Sequence, residues 1–94
     1  MNKHQDCPEI YCDLNAGRGN GYSIETNGSI RDLKELGLTP EKAVGMHFIF
    51  NSGLDENEAG EPADILFTGI VVEDEQWGYI AIPDDENAFF WRAV

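Results

Sequence analysis

Asp64-Ile65-Leu66-Phe67-Thr68-Gly69-Ile70-Val71-Val72-Glu73 carries apolar side chains on both of its alternating faces. A strand of that pattern is either covered on both sides or bent so that it turns a barrel corner. Gly69, in the middle of the run, favours the bend. Downstream, Asp74-Glu75-Gln76 reads as a turn and Trp77 to Ile82 as the hairpin partner. Pro83-Asp84-Asp85-Glu86-Asn87 turns the chain again, and Ala88 to Ala93 closes a three-strand antiparallel meander.

Upstream of the run, Gly45 opens another strand, with Met46, Phe48 and Phe50 on one face and His47, Ile49 and Asn51 on the other. It ends at Ser52-Gly53, and residues 53–63, with four acids, two glycines and a proline, read as a solvated loop. Two period-two segments stand near the start: Ile10, Cys12 and Leu14 alternate with Tyr11, Asp13 and Asn15, and Tyr22, Ile24 and Thr26 with Ser23 and Glu25. Ala16-Gly17-Arg18-Gly19-Asn20-Gly21 between them reads as their hairpin connection. It lacks the G-K-[ST] ending and the following helix that a phosphate-binding loop requires.

The period changes after Asn27-Gly28, a turn signal. Ser29 is placed to cap a helix with Asp32 three residues on, and Ile30, Leu33 and Leu36 form its single apolar stripe before Gly37. Thr39-Pro40-Glu41-Lys42 repeats a start signal, but Gly45 limits it to about one turn, a connector. The sum is a mainly β (α+β) chain: a small, strongly bent antiparallel sheet or partial β-barrel, SH3-like or OB-like, with one short helix. Ninety-four residues make one domain, 1–94, with residues 1–8 expected to be a flexible N-terminus.

Eighteen acids against six lysines and arginines leave a formal charge of −12. Such a chain repels nucleic acid unless its cations are gathered on one face, and here they are scattered. No apolar run is long enough to span a bilayer and the first residues lack a signal core, so the expected location is cytoplasmic. Between Lys42 and Arg92 there is no cation but there are eleven acids, concentrated in the turns. They serve as a solubilising rim or as a surface that steers a basic protein partner.

Candidate chemistry is sparse. Asp55, Asn57 and Glu61 have partial calcium-loop spacing, yet Ala59 and Leu66 stand where further oxygens are needed and no helices flank the loop. His4, Cys7, Cys12 and His47 offer zinc-type ligands at irregular spacing, without a C-x-x-C pair. An extended Cys7–Cys12 segment would hold the two Cα atoms on the order of 16 Å apart, beyond disulfide reach. No serine sits in a nucleophile elbow, so no catalytic residue and no cofactor is assigned, and the chain is read as a non-enzyme.

Aromatic residues exceed what one sheet face needs, since Phe89-Phe90-Trp91 must point to both faces. Trp77, Tyr79, Phe90 and Trp91, with Asp74, Glu75, Asp84 and Asp85 around them, are therefore the expected partner surface. The last strand also offers an edge for strand addition. The functional expectation is a non-catalytic acidic protein-binding module of the inhibitor or immunity type that recruits a basic partner. The alternatives are a small barrel that binds a divalent cation or small ligand, and a homodimeric structural protein. Self-repulsion at −12 further places the stability optimum below pH 7.

Overall fold

The computed structural model describes residues 7–94, so most of the terminus expected to be flexible, and His4 of the zinc set, lie outside the described residues. Residues at its end are held: the Pro8 carbonyl accepts the Ile49 N–H at 2.9 Å. The chain forms β1 (Glu9–Tyr11), β2 (Gly17–Arg18), β3 (Gly21–Ser23), α1 (Asn27–Glu35), α2 (Pro40–Ala43), β4 (His47–Glu56), β5 (Pro62–Asp74), β6 (Gly78–Pro83) and β7 (Phe89–Ala93). The strands make one sheet in the order β1-β4-β5-β6-β3-β2, with β7 also on β5, and the sheet is strongly curled but not closed.

β5 organises the sheet. β4 runs along one of its edges from Pro62 to Ile70. The other edge is shared end to end: β7 pairs with Ala63 to Phe67 and β6 with Gly69 to Asp74. The expected meander is thus corrected, because β7 continues the line of β6 along β5 instead of pairing with β6. The 84–88 loop steps out of that line at Thr68, whose C=O accepts from Asp84 N–H at 3.0 Å and whose N–H donates to the Ala88 carbonyl at 3.4 Å. Both backbone groups of the buried Thr68 are satisfied while the chain makes its excursion. Gly69 is where this geometry needs a missing Cβ, since an added methyl would run into the Ile82 carbonyl.

The N-terminal hairpin is corrected too. Residues 16–21 do not join two neighbouring strands of the main sheet; they make the two-stranded β2–β3 ribbon, while β1 lies at the opposite end of the strand order. β1 pairs parallel with β4. A parallel pair needs a long crossover, and residues 12–46, with both helices, supply it. The loop expected over 53–63 is also shorter than its composition suggests. β4 runs on to Glu56 through a bulge between Asn51 and Leu54, and β5 begins at Pro62.

α1 begins earlier than expected, with Thr26 as N-cap and Asn27-Gly28 already helical. Ser29 and Asp32 do not cap it; they face β1. Ser29 Oγ donates to the Tyr11 carbonyl at 2.7 Å, and Asp32 accepts from Tyr11 N–H at 2.8 Å. The register places Tyr11's backbone groups on the side of β1 away from β4, so α1 seals an edge strand. Gly28 permits the approach, because a Cβ there would press on the Tyr11 ring.

One sheet face and both helices enclose the core of Ile10, Cys12, Ile24, Leu33, Ala43, Phe48, Phe50, Phe67, Val71 and Ala81. Phe50 stacks on Phe67 at 4.9 Å between ring centroids, and Phe89 closes on Phe67 at 5.0 Å. The opposite face holds a second apolar set. Ile49, Leu66 and Ile80 are buried there, and Ile70, Val72 and Ile82 are half-buried.

Candidate functional site

Cross-strand register assembles the candidate surface on that second face. Ile70 stands opposite Ile82, and Val72 opposite Ile80, so Ile70, Val72 and Ile82 form one aliphatic patch. The β5–β6 turn, with Asp74 at its start and Glu75 within it, lies at one end of the patch, and the 84–88 loop, with Asp84, Asp85 and Glu86, at the other. Alternation on paired strands produces this arrangement: residues two apart share a face, and the chain must leave that face at both ends of β6.

The acidic corners are organised by their own side chains. Asp74 Oδ1 accepts from Gln76 N–H at 2.8 Å and Trp77 N–H at 3.0 Å, and Asp85 Oδ1 accepts from Asn87 N–H at 2.8 Å. Among the described residues, no lysine or arginine pairs with Glu73, Asp74, Glu75, Asp85 or Glu86. Arg92, which bounds the acidic interval, is engaged by two carboxylates at the far end of β5. It holds Glu9 with 2.7 and 2.9 Å bonds and reaches Asp64 at 3.5 Å. The Arg92 hydrogen bonds keep the Glu9 carboxyl below its ordinary value, against the opposing effect of partial burial.

The expected aromatic set is not brought together. Tyr79 packs against the core. Partial burial, then the carboxylates of Glu73, Glu41 and Glu25, raise its phenol above the ordinary value. Glu25 also accepts from Tyr79 N–H at 3.2 Å, so three elements bring acids to this ring, a cluster with no signal in local sequence. Trp77 is exposed in the β5–β6 turn and lies over Gly19. Trp91 and Phe90 stand at the far end of β5, opposite Ile65 and Leu66, with their side chains on opposite faces.

Of the calcium-type candidates, Asn57 is the organiser of a tight turn. Its Oδ1 accepts from Ala59 N–H at 2.9 Å and Glu61 N–H at 3.0 Å, while Asp55 Oδ1 accepts from Glu56 N–H at 2.8 Å. Among the described residues, Asp55, Asn57 and Glu61 form no group with metal-holding geometry. The zinc-type candidates separate. Cys12 is fully buried in the core, and burial, with a smaller effect of Asp13, pushes its thiol up to about 12. No disulfide joins it to Cys7. Cys7 and His47 do meet, with Sγ 3.5 Å from Nδ1, and His47 Nε2 lies 2.7 Å from Asp84 Oδ2. Asp84, which sequence reading places only on the partner surface, is the third member of that chain of contacts.

The fold and surface define a class: a small, mainly β fold with an open, curled sheet and acidic corners whose Asp74, Glu75, Asp85 and Glu86 have no lysine or arginine partner among the described residues. No protein-family model, no curated protein and no solved structure matches the chain. Among the described residues no helix is long and apolar enough to cross a membrane.

Proposed function

We propose that this protein is a non-catalytic, acidic protein-binding module of the cytoplasm that recruits a basic partner through its second sheet face. The observation that carries this reading is the aliphatic patch Ile70, Val72 and Ile82 set between acidic corners whose Asp74, Glu75, Asp85 and Glu86 have no lysine or arginine partner among the described residues. A desolvated apolar centre supplies contact area, and a charged rim supplies speed of encounter and choice of partner. The centre is aliphatic rather than the aromatic group expected from sequence, because β6 and β7 lie end to end and spread the aromatic residues along β5.

The test is binding to an amphipathic lysine-rich peptide with leucines on its other face. The complex should weaken at least tenfold between about 0.05 and 0.5 M salt, since the screening length falls from about 14 to about 4 Å over that range. Ile82→Asp should abolish it, and Glu75→Gln with Glu86→Gln should weaken it. Salt-independent binding, or binding unchanged in Ile82→Asp, would remove the proposal. Self-association is supported by a different observation, the outer edge of β7, which has no neighbouring strand among the described residues. A concentration-independent monomer in light scattering would eliminate that reading.

A further inference from the structure

Residues 7, 47 and 84 come from three separate parts of the chain, yet they meet in a thiol–imidazole–carboxylate sequence. Each is positioned by neighbouring backbone. Pro8, next to Cys7, accepts from Ile49; His47 stands opposite Ile70; and the Asp84 N–H donates to Thr68. An ionised carboxylate only accepts hydrogen bonds, so Asp84 fixes the proton of a neutral His47 ring on Nε2. The Nδ1 lone pair is then left facing Cys7 Sγ at 3.5 Å. A nucleophile within reach of a base that is oriented by a third group is the arrangement that activates thiols. Fold stability does not account for it, because the His47–Asp84 pair is exposed enough, at 40% and 28% of its side chains, to contribute little.

We propose that Cys7, His47 and Asp84 form a nucleophilic thiol site that exchanges with small, positively charged disulfides. Cys7 Sγ attacks one sulfur of the disulfide while its proton passes to His47 Nδ1. A new S–S bond forms at Cys7 and the old one breaks. The departing sulfur leaves with the electron pair and takes the proton from His47, so one thiol is consumed and one released. The small disulfide supplies the oxidising equivalent. Positive charge is favoured because Asp85 and Glu86 follow Asp84 in the same loop and have no lysine or arginine partner among the described residues.

Intact protein is incubated with cystamine, hydroxyethyl disulfide or dithiodipropionate, which are cationic, neutral and anionic, and adducts are followed by mass spectrometry with peptide mapping. The mixed disulfide should form at Cys7 and not at Cys12. Rates, each divided by the rate of the same reagent with urea-unfolded protein, should fall in the order cystamine, hydroxyethyl disulfide, dithiodipropionate. His47→Gln should slow the neutral reagent about tenfold or more, as expected when a general base is removed. Asp84→Asn, also tested with the neutral reagent so that charge does not enter, should slow it as well. Circular dichroism reports whether each variant is folded, and if His47→Gln is not, Asp84→Asn decides alone. Native rates in the folded variants, equal reaction at Cys12, or no dependence on reagent charge would overturn the proposal. Salt-sensitive peptide binding is a separate readout, so the two proposals fail independently.

Discussion

Ser29 and Asp32 carry more of this fold than their place on a short helix suggests. Ser29 is buried, and its single hydroxyl proton goes to the Tyr11 carbonyl, so Thr26 must donate the 3.1 Å bond between their oxygens. Ser29→Ala leaves that carbonyl without its partner and should cost about 1–3 kcal/mol in urea unfolding. A smaller loss than about 0.5 kcal/mol would mean that water replaces the hydroxyl. Gly69 makes a second prediction. Because an added methyl meets the Ile82 backbone and not a movable side-chain tip, Gly69→Ala should destabilise by about 1–3 kcal/mol. An unchanged denaturation midpoint would show that the close approach of β6 tolerates a side chain. Neither role is visible locally: Ser-x-x-Asp reads as a cap wherever it precedes an apolar stripe, and only the approach of β1 converts it into an edge seal.

Among the strands, β7 decides how the sheet is finished. By pairing with β5 and not with β6, it brings Arg92 to Glu9 and Asp64. The depressed Glu9 carboxyl has a definite consequence for pH. A carboxyl held lower in the folded than in the unfolded state contributes stability above its unfolded value, and that contribution is lost as the pH falls through the folded value. The contribution is modest because both side chains are partly exposed. Arg92→Gln should therefore lower the melting temperature at pH 6 and leave it nearly unchanged at pH 3. A drop of equal size at both values would assign the effect to lost packing of the arginine stem. The strands of 64–82 were readable from alternation and from turn chemistry at 74–76. The partner of residues 89–93 was not, since alternation records which face a side chain takes and says nothing about which neighbour receives the hydrogen bonds.

Taken together, the charges oppose the fold. The net −12 is spread over corners where, among the described residues, Asp74, Glu75, Asp85 and Glu86 have no lysine or arginine partner, and the described ion pairs use Arg31, Arg92 and His47 elsewhere. Partial protonation should relieve that repulsion, while deeper acid removes the Glu9 contribution. The melting temperature should therefore peak between about pH 5 and pH 7, above the usual carboxylate range on one side and short of full ionic repulsion on the other. A melting temperature rising steadily from pH 5 to pH 8 would contradict it. Added salt should raise the melting temperature at pH 8 more than at pH 5, by screening the same repulsion.

Composition and periodicity were enough for a mainly β, strongly curled sheet, for one amphipathic helix and for acidic turns, because each of these follows from local residue preferences along a few consecutive positions. The parallel β1–β4 pair, the end-to-end placement of β6 and β7, the aliphatic patch between the acidic corners and the meeting of Cys7, His47 and Asp84 came from elsewhere. Each depends on contacts between segments distant in the chain, and those are selected by the joint packing of the core and the satisfaction of strand edges, which no short stretch of residues encodes.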